Sequence, residues 1–198
     1  GKFKRISINE INDISNRSTT ILKLKDNIKL KSCLLFQENS YVYIVSDIGR
    51  IIKVKITEKQ FPSMGKLAQG NNIMKLFPSE NIIEALSVKE NEIKDLILIT
   101  KKGSFIKLST KEIQISKKGA LGTMGIHLKD NQKSKDRVIS CFINNKYVYI
   151  KTTQDRYEKL ETDQIDIASY KKEKKLNIKL NEEEFIKSIF SMVLPENN

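Results

Sequence analysis

The chain is poor in the side chains that most often carry chemistry. Among 198 residues it has one histidine, His127, and two cysteines, Cys33 and Cys141. The cysteines stand far apart and without CxxC spacing, which excludes a disulfide framework or a zinc site built on them. They fall in "KSCLLF" and "ISCFIN", which read as buried strands, so both are expected to be packed thiols in a reducing compartment. His127, in "MGIHLKD", has no Cys, Asp or Ser partner in the pattern and is expected to be a structural or surface histidine. Glycines number eight, and the loops that hold them lack phosphate-loop spacing. No apolar run approaches the ~18–20 residues that span a bilayer, and residues 1–20 are polar and basic, unlike a secretory signal. Neither a membrane partner nor export is expected, and the location expected is cytoplasmic. The acidic "NEEEF" (181–185) lacks a partner constellation and reads as a solvated patch. With no acid–base pair and no activated nucleophile, the chain is expected to have no catalytic residues, no metal and no cofactor site.

Positive charge is abundant. Lys and Arg number 36 against 24 Asp and Glu, giving a formal charge of +12. Such a field draws polyanions, nucleic acid first. Only five of these residues are Arg (Arg5, Arg17, Arg50, Arg137 and Arg156), and the chain is also rich in Ile and Asn. An A·T-rich genome favours Lys codons, so composition alone leaves a second reading open: a protein-binding scaffold whose lysines reflect codon bias.

The sequence repeats. "YVYIVSDIGRIIKVKI", "LILITKKGSFIKLST" and "YVYIKTTQDRYEKLET" align on a turn, and the opening "GKFKRISI" supplies the second half of another. The turn residues Gly1, Gly49, Gly103 and Asp155 are 48, 54 and 52 residues apart. Glycine at a tight hairpin turn supplies positive φ, and Asp is among the few tolerated substitutes. Each period holds short Ile-, Val-, Phe- and Tyr-rich runs bounded by polar turns, which predicts strands. Four are expected per repeat: "FKRISI", "TTILKL", "KLKSCLLF" and "YVYIV" in the first, "GRIIKVKI", "NNIMKLF", "IIEALSV" and "DLILIT" in the second. "SFIKLS", "MGIHL", "VISCFI" and "KYVYIK" form the third, while the fourth stops after "RYEKLE", "KLNIKL" and "FIKSIFSMV". Four-stranded repeats of this length predict an all-β, propeller-like disc or open arc of blades. The chain reads as one domain, 1–198, with repeats of approximately 1–48, 49–102, 103–154 and 155–198, and as a fragment of a longer subunit.

Two columns are apolar: Phe3, Ile51, Phe105 and Tyr157, two residues past the turn, and Ile6, Val54, Leu108 and Leu160, five past it. They point to opposite faces of a strand, so both faces are expected to be packed between neighbouring blades. Four past the turn stand Arg5, Lys53, Lys107 and Lys159. This column reads either as snorkelling strand ends or as a row of cations along a rim. The paired tyrosines of "YVYI", Tyr41, Tyr43, Tyr147 and Tyr149, are expected in the core.

From "GRIIKVKITEKQFPSMGKLAQGNNIMKLFPSENIIEALSV" through "LILITKKGSFIKLS" to "LGTMGIHLKD", the chain resembles the C-terminal domain of the A subunit of bacterial type IIA topoisomerases, DNA gyrase and topoisomerase IV. The resemblance covers roughly residues 1–165. It implies a β-pinwheel, a propeller-like disc that exchanges strands between blades and binds and bends double-stranded DNA on its basic outer edge. It also implies a non-catalytic role near the nucleoid, with the rest of the A subunit and the B subunit as partners. The cleavage tyrosine, ATP and Mg of the parent enzyme would lie in other domains. Gyrase carries a Gln-Arg-Arg-Gly-Gly-Lys-Gly box in its first-blade loop, where this chain has "NDISNRSTT"; "MGKLAQG" (64–70) lies one blade later. That departure and the low repeat count favour the topoisomerase IV type over an eroded gyrase. The DNA contacts expected are Arg5, Lys53, Lys107 and Lys159 of the column, the loop residues Arg17, Lys66, Lys117, Lys118, Lys171 and Lys172, and the turn-following Arg50 and Arg156.

Overall fold

The computed structural model describes residues 1–12, 20–128, 135–163, 165, 174–176 and 178–190. Its scaffold is a hairpin made three times. β2 (Tyr41–Ser46) turns into β3 (Arg50–Lys55), β6 (Asp95–Thr100) into β7 (Ser104–Ser109), and β10 (Tyr147–Thr152) into β11 (Tyr157–Glu161). The turns close as their residues dictate, with φ of 87° at Gly49, 78° at Gly103 and 57° at Asp155. Behind each turn a hydroxyl stands ready: Ser46, Thr100 and Thr152 accept the backbone N–H of Arg50, Ser104 and Arg156.

Each hairpin then gains strands from further along the chain. β5 (Ile82–Val88), β9 (Val138–Ile143) and β13 (Ile186–Phe190) pair antiparallel with the first strands β2, β6 and β10. Two-residue strands of the following repeat dock on the second strands: β8 (Thr123–Met124) on β3 and β12 (Lys174–Lys175) on β7. The resulting sheet orders are β5-β2-β3-β8, β9-β6-β7-β12 and β13-β10-β11. At the start of the chain β1 (Lys2–Phe3) pairs with β4 (Asn71–Asn72) in the same relation as β3 with β8. A sheet thus closes only with a strand from the next repeat, and this exchange couples neighbouring blades.

The short exchange strands need glycine at their approach. Gly122 has φ +79°, and a Cβ there would stand 2.6 Å from the carbonyl oxygen of Ile51.

Alternation along the strands builds three cores between sheets. Phe3, Val42, Ile44, Ile52, Val54, Ile73 and Met74 pack on one side of the first full sheet. Tyr43, Val45 and Ile51 meet Leu96, Leu98, Ile106 and Leu108 on its other side. Ile97, Ile99 and Phe105 then meet Ile150, Leu176 and Ile186. The two apolar columns behave as expected through Leu108, with Ile51 and Val54, and Phe105 and Leu108, on opposite faces. Tyr157 is 62% exposed because, among the described residues, no sheet covers its face. β5 packs against β9 and β9 against β13, so these edges converge from sheet to sheet.

Several expected strands are absent. "TTILKL" and "KLKSCLLF" form no described strand, "NNIMKLF" contributes Asn71 and Asn72 to a strand, and "MGIHL" contributes Met124 alone. "KLNIKL" contributes Lys175 alone, as the end of β12. By repeat position "KLKSCLLF" matches β5, β9 and β13, each of which pairs with the first strand of a hairpin; no described strand stands there for it. Cys33 is accordingly exposed, contrary to expectation, whereas Cys141 is buried against β6 and burial raises its thiol pKa. Tyr43 is buried at 1% exposure, but Tyr147 and Tyr149 are half-buried on the uncovered face of the last sheet. A four-residue helix, α1 (Asn9–Asn12), is the one helix among the described residues, and no helix is long and apolar enough to cross a membrane.

Candidate nucleic-acid interface

The expected cations divide into three groups. The column four past the turn lies on the same face of its strand as the apolar column two past it, and it therefore points into the gap between sheets. Lys107 is 6% exposed; its Nζ donates to the Ile165 carbonyl at 3.0 Å, 3.7 Å from the Asp95 carboxylate. Lys53 donates to the Thr110 carbonyl at 3.0 Å and lies over the rings of Tyr41 and Tyr43, and burial lowers its pKa. Arg5 pairs with Glu58 at 2.6 Å and donates to the Phe61 carbonyl at 3.2 Å. Lys159 stands on the uncovered face of the last sheet, over Tyr147 at 4.6 Å. Of this column, only Lys159 is exposed to a solvent polyanion, with 49% of its side chain open.

The arginines after the turn are also occupied. Arg50, 4% exposed, grips Glu80 with two nitrogens, gives Nη1 to Leu121 O at 2.6 Å and Nη2 to Lys75 O at 2.9 Å, and stacks on Phe77. Glu80 also accepts the Phe77 N–H. Burial pushes this carboxyl's pKa up, but the Arg50, Ser46 and Phe77 hydrogen bonds outweigh it and hold the carboxyl below its ordinary value. Arg156 repeats the arrangement, holding Glu184 through Nε and Nη2, both at 2.9 Å, and donating to Lys179 O at 2.7 Å. The middle repeat replaces the arginine with Ser104, and Asp136 takes the acid's place, accepting from Thr100 at 2.7 Å. These arginines bind the turn to the segment that enters the third strand. Arg50, buried and bonded through all three of its nitrogens, has little left to offer a phosphate. Arg156 keeps 37% of its side chain exposed, although its nitrogens are likewise engaged.

Loop lysines remain. Lys117 and Lys118 are exposed and Lys66 is half-buried. Their loops run along the edge of the sheets opposite β5, β9 and β13. The loop of Lys117 and Lys118 is seated by Ser116 N–H on Lys53 O and Gly119 N–H on Ile73 O; the loop of Lys66 by Met64 N–H on Arg5 O. Lys118 lies over the Phe61 ring at 5.3 Å, which brings the two loops together. Three further exposed lysines on the connections that follow the second strands of the hairpins, Lys59, Lys75 and Lys111, escaped sequence reasoning because they fall in no repeated column. Arg17, Lys171 and Lys172 lie outside the described residues. Among the described residues no three His, Cys, Asp or Glu side chains gather as metal ligands would.

The family described as the DNA gyrase C-terminal domain, beta-propeller, matches residues 1–35, 40–89 and 94–145, more than half of the chain. Among solved structures, the C-terminal domain of DNA topoisomerase IV superposes with a TM-score of 0.75 at 14% identity, over 86% of this chain and 52% of that one. The E. coli ParC C-terminal domain gives 0.62 at 16% identity, over 88% and 71%. A DNA gyrase A C-terminal domain gives 0.54 at 18% identity, over 84% and 50%. The chain thus spans about half the length of two of these domains, and the likeness shows a shared fold. No curated protein sequence matches it. The matched segments take in two of the three full hairpin turns, those of Gly49 and Gly103, and with the exchanged-strand sheets they make this chain a member of the DNA gyrase C-terminal domain family.

Proposed function

We propose that this domain holds duplex DNA along the outer edge of its sheets and bends it, presenting it to a type IIA topoisomerase for strand passage. The domain itself cuts nothing and needs no cofactor. The observation that carries the reading is the edge opposite β5, β9 and β13, on which the loops of Lys66 and of Lys117 and Lys118 are seated in successive repeats, with exposed Lys59, Lys75 and Lys111 on the same connections. Since β5, β9 and β13 converge, the opposite edge is the convex one. A duplex laid there neutralises phosphates, releases counterions and follows the curve without base contacts. Smoothly bending 20–30 bp by 40–90° costs about 1–6 kcal/mol, which several phosphate contacts offset. By repeat position in the sequence Arg17, Lys171 and Lys172 are assigned to the equivalent loops and are proposed as further contacts, and Lys159, on the open face of the last sheet, is proposed with them. The glycine-free "NDISNRSTT" loop favours a parent of the topoisomerase IV type, with the remaining A subunit and the B subunit as its partners.

Equilibrium binding to duplexes of about 30 bp tests this. Affinity should be alike for unrelated sequences, and log K should fall linearly with log salt by about 0.9 per phosphate contacted. A domain that passes through DNA-cellulose unretained at about 0.1 M salt would be the protein-binding scaffold instead.

A further inference from the structure

The cations four residues past the turn make one contact three times. Arg5 donates to Phe61 O at 3.2 Å, Lys53 to Thr110 O at 3.0 Å and Lys107 to Ile165 O at 3.0 Å, across separations of 56, 57 and 58 residues. Each acceptor lies in the segment that leaves the second strand of the next hairpin: Phe61 six residues after β3, Thr110 one after β7 and Ile165 four after β11. Each bond therefore crosses from one sheet to the next. Apolar packing fills the rest of the gap, but it is non-directional and tolerates sliding. A charge-assisted bond to a main-chain carbonyl has a fixed length and direction. Other groups hold each cation in place: Glu58 beside Arg5, the Tyr41 and Tyr43 rings under Lys53, and Asp95 beside a Lys107 that is 6% exposed.

We propose that Arg5, Lys53 and Lys107 are cross-sheet braces that fix the angle between successive sheets, and so set the curvature imposed on bound DNA. The last clause rests on the DNA reading; the brace does not. The same column explains Lys159, whose side chain is exposed because, among the described residues, no sheet lies beyond it to offer a carbonyl.

Spin labels at the exposed positions Lys59, Lys111 and Asp163, in a Cys33→Ser background, report the two inter-sheet distances. Lys53→Met keeps the apolar stem and deletes the donor. It should broaden the 59–111 distribution, leave 111–163 unchanged and lower Tm by about 2–8 °C. Lys53→Arg should restore the distribution, since Arg5 shows that a guanidinium serves in this column. Lys107→Met should do the converse, with Lys107→Gln used if the methionine does not fold at that buried site. Unchanged distributions in both variants overturn the brace. With DNA, the braced and unbraced domains should share one salt slope while the unbraced one gives a broader spread of bend angles. A reduced slope would make these residues phosphate contacts and also overturn the brace. Broadened distances in a protein that binds no DNA would uphold the brace and sink the DNA reading.

Discussion

At the scale of single residues, an arginine is dangerous to remove where its partner acid is buried. Arg50 and Glu80 are 4% and 7% exposed, and each is left uncompensated without the other. Arg50→Met should cost about 3–5 kcal/mol in urea unfolding, and Arg50→Lys should recover little, since an ammonium cannot reproduce the two-nitrogen grip and the carbonyl bonds. The repeat of this pair gives a pH signature. The Arg156 guanidinium, then the Asn181 N–H and Thr152 hydroxyl, hold the Glu184 carboxyl at a pKa of about 2. An unfolded Glu titrates near 4.3, so the folded value is depressed. The pairing therefore stabilises the fold fully above that pH and is lost as pH falls from about 4.3 through 2. Carboxyl NMR titration should find Glu184 still ionised at pH 3, and Arg156→Met should return it to the ordinary range. An ordinary value in the parent protein would refute the pairing.

The elements show why equal columns have unequal energies. Phe105 is 7% exposed in the gap between the second and third sheets, whereas Tyr157, its equivalent on the last sheet, is 62% exposed. Phe105→Ala should cost about 3–5 kcal/mol and Tyr157→Ala about 1 or less, read as shifts in urea midpoint. The hairpins were legible in the sequence because their information is local: a turn residue suited to positive φ at Gly49, Gly103 and Asp155, flanked by β-branched runs. The exchanged strands were not. "MGIHL" looks like a strand in its own right, yet of it only Met124 pairs, together with Thr123 just before it, since what they pair with is the edge of β3. "KLKSCLLF" has the composition of β9 without a described partner, and composition cannot supply one. The cation column carried a signal that could have been used. Residues two and four past a turn share a face, so a column beside Ile51 and Phe105 had to point between sheets rather than along a rim. The loop lysines had no such periodicity, and their gathering on one edge follows only from the docking of one repeat on the next.

For the whole molecule, the question is whether DNA would answer to a footprint or only to the summed field. A charge of +12 attracts any polyanion, and both readings predict salt-sensitive binding. Two triple reversals separate them. Lys66, Lys117 and Lys118 changed to Glu remove cations from the convex edge; Lys89, Lys135 and Lys187, all exposed, flank or sit on the converging strands β5, β9 and β13. Either triple reverses three charges and takes the net charge from +12 to +6. A field acting as a whole would respond equally to both. A footprint would respond to the first alone, with the slope of log K against log salt falling by about 2.7, three contacts at about 0.9 each. The second triple should keep the parent slope and lose only the modest affinity that long-range attraction supplies, an effect that fades once the Debye length drops to about 8 Å near physiological salt. Equal losses in the two triples would show that the edge has no special claim on DNA, whatever the fold.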